Sequence, residues 1–322
     1  MNSGAAKPRE ATGEEPFAPP AQEASLSVVV LSWNTRDLLA ACLQSLAEAR
    51  DPDRWQVIVV DNGSADSSAD MVAEQFPWAE LVRNPVNDGY AIGNNMGAAL
   101  ATGEYLLLLN SDTEVEIGAL NTLVSWLAAR PTHGVCAPRL VHGNGEVQLS
   151  CKRFPTLGTA VFFDTIFEKL FPKNRSIPRY FMSDFDHLST RDVDQPPGAA
   201  LLIRRALWEQ LSGFDPELWL FFNDVDLCRR VKAAGHLVGY VAEVKILHHE
   251  GKSTSQFPDF GTIWHKNRLA YYRKTFGWVG ALLARVMTAV RGLQELHRLR
   301  SAGAPSEARR AVWRSVKEVW AA

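Results

Sequence analysis

Five short segments of this 322-residue chain combine carboxylates, amides and imidazoles in spacings that chemistry can use. Asn110-Ser111-Asp112 follows four leucines, so a carboxylate emerges from a rigid apolar support, where it can hold Mg²⁺ or Mn²⁺. The same residues could simply cap a helix starting near Glu114. Asp61-Asn-Gly-Ser-Ala-Asp66 reads as a turn with Asp66 as a helix cap, or as a loop facing a ligand. Asn87 to Gly97 sets three glycines and three asparagines at a helix start, where small residues admit close approach and the N-terminus favours an anion. It is neither G-x-G-x-x-G nor a P-loop, which disfavours dinucleotide binding and ATPase activity. Trp219-Leu-Phe-Phe-Asn-Asp-Val-Asp226 places two carboxylates ahead of Arg229, Arg230 and Lys232. On a helix, Asp224 and Asp226 diverge by about 200°. One can face a site while the other pairs with an arginine. His248-His249 closes the last apolar run, where a neutral imidazole could complete a metal site.

Short apolar strands must position these groups. Ser27–Trp33, Gln56–Val60, Ala79–Arg83 and Tyr105–Leu109 alternate with helices at about 35–49 and 66–76. That order predicts a mostly parallel α/β sheet flanked by helices. Ligands of such sheets sit beyond the carboxyl ends of the strands, and three of those ends carry Ser32–Asn34, Asp61–Ser64 and Asn110–Thr113. Beyond them, His142-Gly-Asn-Gly145 predicts a hairpin turn. Residues 151–195 read as an irregular insertion covering a site. A strand at 198–203, helices at 205–211 and 224–235, and two strands at 238–241 and 244–247 follow. A helical tail from about Phe260 is broken near Gly277 and near Gly303–Pro305.

Composition narrows the class. The chain is 46% hydrophobic and 22% charged, which excludes a wholly disordered, collagen-like or polytopic membrane protein. Four scattered cysteines form no C-x-x-C pair, arguing against a zinc ribbon or disulfide scaffold and for a reducing compartment. Residues 1–24 read as a disordered leader without a secretory apolar stretch. From Trp264 onward there are twelve Lys/Arg against three acidic residues, leaving 22 against 33 in the remainder. A basic tail on an acidic body suits an anionic partner, or is simply a solvated helix surface.

Taken together, S-V-V-V-L-S-W-N (27–34), V-V-D-N-G-S-A-D (59–66), N-D-G-Y-A-I-G-N-N-M-G (87–97), L-N-S-D-T (109–113), G-F-D-P-E (213–217), F-F-N-D-V-D-L-C-R-R (221–230) and H-H-E-G-K-S-T (248–254) carry a resemblance over roughly residues 25–275. The chain resembles the family-2 inverting glycosyltransferases of the GT-A fold, in their rhamnosyltransferase-like branch. The resemblance implies a catalytic domain at 25–259, with a nucleotide-binding half (25–115) and an acceptor half (116–259), ahead of a basic amphipathic tail at 260–322. It implies that Asp61 binds the nucleobase, joined at the nucleotide by Ser32, Asn34, Asn62, Asn87, Gly89, Asn94, Asn95 and Ser111. Asp112 takes the last position of the family's D-x-D metal motif, with Asn110 in place of its first carboxylate. His248, or else His249, becomes the metal histidine. Asp224 becomes the catalytic base, with Asn223 where the family carries a glutamate. Gly198, Ala199 and Asp226 fall in the acceptor cleft. The implied cofactor is Mn²⁺ or Mg²⁺.

A sugar hydroxyl is a weak nucleophile, so a carboxylate must take its proton while a nucleoside diphosphate leaves from the opposite face. The branch implies dTDP-L-rhamnose as donor, with UDP-sugars as the alternative. It implies a polyprenyl-linked or cell-surface glycan as acceptor, and gives no reason to expect nucleic acid. The Tyr271–Lys274 and Phe276–Met287 stretches interleave aromatic and apolar residues with cations. That fits a peripheral place on the inner face of the cell membrane, or packing on the catalytic domain or a second copy of the chain. A nucleotidyltransferase would need a Gly-rich basic loop that Ser32–Arg36 does not supply. A non-catalytic nucleotide- or carbohydrate-binding module would tolerate Asp224→Asn. A hydrolase would need a second carboxylate that is not evident.

Overall fold

The computed structural model describes residues 25–249, 257 and 259–322. The expected leader (1–24) and most of the stretch after His249 lie outside the described residues. Four apolar runs form the parallel half of one sheet: β1 (Leu26–Ser32), β2 (Trp55–Asn62), β3 (Glu80–Asn84) and β4 (Tyr105–Asn110), in the order β3-β2-β1-β4. Alternate residues of each strand enter opposite cores. Val28, Val30, Val57, Val59 and Leu107 pack on one face, and Val29, Ile58, Val60, Leu106 and Leu108 on the other. Both faces are covered, by α1 (Arg36–Ala49), α2 (Ser68–Gln75) and α4 (Ala119–Ala128) or by α3 (Gly89–Ala98) and α9 (Asn223–Ala233). Such strands read as unbroken apolar runs rather than alternating ones.

The expected α/β class and GT-A layout hold, while the sheet turns mixed in its second half. Next to β4 run β8 (Ala200–Arg204, antiparallel), β6 (His133–Val141), β9 (Leu237–His248) and β5 (Thr113–Val115); the short β7 (Arg191–Asp192) joins β9. The sequence reading missed β6, whose Pro138 interrupts the pattern. At that proline the pairing with β9 slips, from Val241 to Lys245, so β9 is one irregular strand where two were expected. Thr113–Val115 pairs with β9, which delays α4 to Ala119 instead of Glu114. The 142–145 turn forms as expected, with Gly145 N donating to His142 O.

The 151–195 stretch carries three short helices, α5 (Leu157–Phe162), α6 (Ile166–Leu170) and α7 (Ser176–Tyr180). After α8 (Arg205–Gln210) and α9 (Asn223–Ala233) the chain ends in α10 (Phe260–Ser301), kinked at Gly277, and α11 (Ser306–Ala321). A third core joins Leu218 and Val225 to Leu269, Tyr271, Tyr272, Ala281, Ala284 and Val319. The C-terminal helices are therefore packed on α5 and on the segment entering α9. All four cysteines are buried and free, and burial pushes the Cys42 thiol up to about 12.

Candidate functional site

Parallel register brings the polar strand ends together: Ser32 lies opposite Asp61, and Leu31 opposite Asn110. Asn34, in left-handed backbone, ties the first two loops, accepting from Ala65 N (2.7 Å) while its own N–H donates to Ser64 Oγ (2.9 Å). A buried hydroxyl chain, Ser32–Thr35–Ser111, with 2.9 Å steps, carries the link to the third. Asp61 is buried. One carboxylate oxygen accepts from Ser64 N, and the other, Oδ1, has no hydrogen-bond partner among the described residues. An unsatisfied buried carboxylate oxygen is costly and suits a donor group on a ligand.

A small cavity opens on this edge, lined by Leu31, Asn62, Gly89, Tyr90, Asn110 and Ser111. Trp33 and Phe257, stacked at 4.5 Å, wall it, with Trp219 set edge-on to Phe257. Gly89 has a positive φ, and a Cβ there would lie 2.5 Å from the Trp219 ring. Asn62 and Asn87 line this cavity, and the asparagines of the segment also hold its backbone. Asn62 donates to Asn87 and accepts from Asn84, a web that holds the α3 entry. Asn94 donates to Tyr90 O, and Asn95 clamps Phe214 through both N–H and C=O. The α3 amides of Gly89, Tyr90 and Ala91 are satisfied by Asn87 Oδ1 and Trp219 O. The helix N-terminus therefore offers no free first-turn donors for an anion, contrary to the sequence expectation. Asn94 and Asn95 serve packing.

Thr113 pairs with His248 in the β5–β9 ladder, which sets the imidazole beside Asp112. His248 Nε2 lies 3.5 Å from Asp112 Oδ1, and His248 Nδ1 is within 2.9 Å of Gln148 Oε1. His249 turns the other way, to Glu114 at 2.7 Å. A carboxylate oxygen and an oriented imidazole nitrogen side by side fit a divalent cation. Among the described residues no third His, Cys, Asp or Glu joins them, so other positions would fall to substrate oxygens or water.

Asp224 stands on the first turn of α9, partly exposed. Its Oδ2 accepts from Gln195 Nε2 (2.8 Å) and its Oδ1 from Val225 N (2.8 Å). Gly198 packs against it, where a Cβ would lie 2.9 Å from Oδ2. Ala199, next in the chain, is buried, and its carbonyl accepts from Asn110 N. Asp226 is instead spent on Arg230 (2.8 Å) and Lys274 (2.9 Å), a structural pair in place of the expected acceptor contact. Phe222, just before, holds φ 66, an uncommon backbone for a bulky residue. Asn223 is buried with neither amide atom hydrogen-bonded among the described residues.

Three residues that the sequence reading left unassigned complete the site. The Tyr90 hydroxyl lies 3.2 Å from both Asn110 Oδ1 and Gly198 O. Burial, with the Asp224 and Asp112 charges, pushes its phenol well above the ordinary value. Gln195 orients Asp224. Asn267, on α10, accepts from Leu220 N and Phe221 N and so fixes the segment leading into Asp224. Only Tyr90 lay within a recognised motif.

Solved structures share this fold. The mannosyltransferase PcManGT from Pyrobaculum calidifontis, in complex with GDP-Man and Mn²⁺, superposes with a TM-score of 0.55 at 19% identity, over 96% of this chain and 79% of that one. GalNAc-T7 with UDP, GalNAc and Mn²⁺ gives 0.55 at 15% identity, over 81% and 52%. These likenesses show the fold. Residues 27–211 match Glycosyl transferase family 2, and the chain belongs to that family. It is similar to the N-acetylglucosaminyl-diphospho-decaprenol L-rhamnosyltransferase of Mycobacterium tuberculosis, 26% identical over 72% of this chain and 78% of the relative. It is also similar to the rhamnosyltransferase WbbL of Escherichia coli, 22% identical over 74% and 88%.

Proposed function

We propose that the chain transfers L-rhamnose from dTDP-L-rhamnose to a hydroxyl of a lipid-linked glycan, with inversion at the anomeric carbon. Asp224 is the base. The convergence at Tyr90 carries this reading: one hydroxyl bridges the Asn110 loop, which bears Asp112, and Gly198, which packs on Asp224. Leaving-group and nucleophile ends of a single displacement thus meet in one cleft. Asp61 accepts from the nucleobase, and the Trp33–Phe257 wall packs beside the nucleotide. Asp112 and His248 hold Mn²⁺ or Mg²⁺, which when bound offsets the charge developing on the diphosphate. Gln195 fixes the Asp224 carboxylate so that its open side faces the acceptor hydroxyl and takes its proton. The similarity to two rhamnosyltransferases supports rhamnose as the sugar, and the diphospho-decaprenol acceptor in the name of one supports a lipid-linked acceptor.

The apolar stripe Val279, Leu282, Val286 and Leu293, exposed on a basic helix beside Trp278, supports a peripheral place on the cytoplasmic face of the membrane. α10 is also the one described helix with an 18-residue stretch of mean hydropathy 1.2. Nucleoside diphosphate release from dTDP-rhamnose, UDP-glucose, UDP-galactose, UDP-N-acetylglucosamine and GDP-mannose tests the donor, each with Mn²⁺, Mg²⁺ or EDTA. Metal-dependent release from dTDP-rhamnose, lost in Asp112→Ala, is expected. Release from a different donor would refute rhamnose.

A further inference from the structure

Two voids flank the peptide that leads into Asp224. The larger, about 660 Å³, opens between the 151–195 insertion and the helices α10 and α11, walled by Phe163, Phe260, Trp264 and Val312, with Phe221 at its edge. The smaller, about 100 Å³, shares Lys152, Phe163 and Trp264 with it and is bounded by Phe222 and Arg268. Their characters differ. The smaller has two cations and no carboxylate in its wall. In the larger, Arg291 pairs with both Asp164 and Glu295, and the remaining wall sets Asp259, His265 and a few hydroxyls among aromatic and aliphatic side chains.

Arg268 is 3% exposed. Its guanidinium donates to Ala160 O and lies over the Trp264 and Tyr272 rings, at 5.4 and 5.7 Å. Among the described residues neither it nor Lys152 forms an ion pair; the Asp164 charge acts on Arg268 only from beyond that distance and is itself paired with Arg291. A buried cation without a counter-charge is expensive, and a bound anion offsets that cost. The position is also telling. Lys152 and Gln195 exchange backbone hydrogen bonds at 2.8 and 3.0 Å, and the Gln195 amide holds Asp224. An anion at Lys152 therefore lies one residue from the base, with an apolar channel behind it.

We propose that these voids bind the lipid end of the acceptor: the diphosphate at Lys152 and Arg268, and the leading isoprene units along the Trp264–Val312 wall. An anionic head on an apolar chain matches the pairing of a cationic pocket with an aromatic one. This rests on the lipid-linked acceptor of the proposed function and adds where that acceptor sits. Delivered there, the acceptor's first sugar reaches the Asp224 carboxylate.

Farnesyl diphosphate binding to the full chain, followed by calorimetry, tests the site, with farnesol and inorganic diphosphate as partial probes. Lys152→Met keeps the stem and removes the charge; Val312→Trp fills the apolar wall and keeps the charges. Each variant is expected to weaken farnesyl diphosphate at least about tenfold, or 1.4 kcal/mol. The thermal shift produced by dTDP stays as in the parent, which also reports an intact fold. Either partial probe alone binds more weakly than the whole. Equal affinity in the parent and both variants would overturn the proposal, as would absence of binding. If dTDP stabilises the chain while farnesyl diphosphate fails to bind, the lipid site alone falls. If no nucleoside diphosphate binds, the transferase reading falls with it.

Discussion

At the residue scale, the account turns on how a single carboxylate is held. Among the described residues Asp224 forms no ion pair; a neutral amide and a backbone N–H orient it. Replacing that amide by an acid is therefore informative. In Gln195→Glu a second carboxylate stands at the 2.8 Å position, and like charges disfavour ionisation of the pair. A base must be ionised to act, so the acid limb of the pH–rate profile moves to higher pH; an unmoved limb would remove Gln195 from this role. Gln195→Met is expected to lower kcat with little change in the donor KM. Asp61, Asp112, His248 and Asp224 were legible in the sequence because each follows a strand or opens a helix whose pattern is strong. Gln195 was not, because it lies in an irregular stretch and meets Asp224 only through tertiary folding. The amide-rich 87–97 segment is ambiguous in sequence for a related reason: Asn and Gly suit both ligands and tight packing, and the fold puts Asn87 and Gly89 on the cavity while Asn94 and Asn95 hydrogen-bond Tyr90 and Phe214.

The elements explain how the strain before Asp224 persists. Phe222 stacks on Tyr271 (5.1 Å) and tilts against Trp264 (6.0 Å), both from α10, while Asn267 takes the amides of Leu220 and Phe221. A helix that the sequence pattern sets apart as a tail thus braces the turn that carries Asp224. Asn267→Leu leaves two half-buried N–H groups without their acceptor, costing roughly 1 kcal/mol each. Denaturant unfolding should register that loss, and turnover should fall below what the remaining folded fraction explains. Unchanged stability and turnover would detach α10 from the site. The parallel strands were readable because burial on both faces makes them continuous apolar runs. Strand β6 was not, since His133, Pro138 and Arg139 break its run, and pairing across a slipped register supplies what the pattern lacks.

For the whole molecule, the proposed function divides the labour between a nucleotide cleft in the acidic body and a membrane approach by the basic C-terminal helices. Truncation at Gly277 would remove Ala281, Ala284 and Val319 from the third core, so it cannot separate folding from binding. The exposed triple variant Trp278→Ser, Leu282→Ser, Leu293→Ser can. It should lose flotation with liposomes containing anionic lipid while melting as the parent does. Undiminished flotation would place the membrane contact elsewhere. The central claim, that Asp224 is the base of an inverting sugar transfer, is tested most directly by Asp224→Asn, measured as nucleoside diphosphate release in the presence of donor and acceptor. The amide keeps shape and removes basicity, so turnover should fall by roughly 10²–10⁴-fold, with the dTDP-induced thermal shift retained. Turnover within a few-fold of the parent would contradict it.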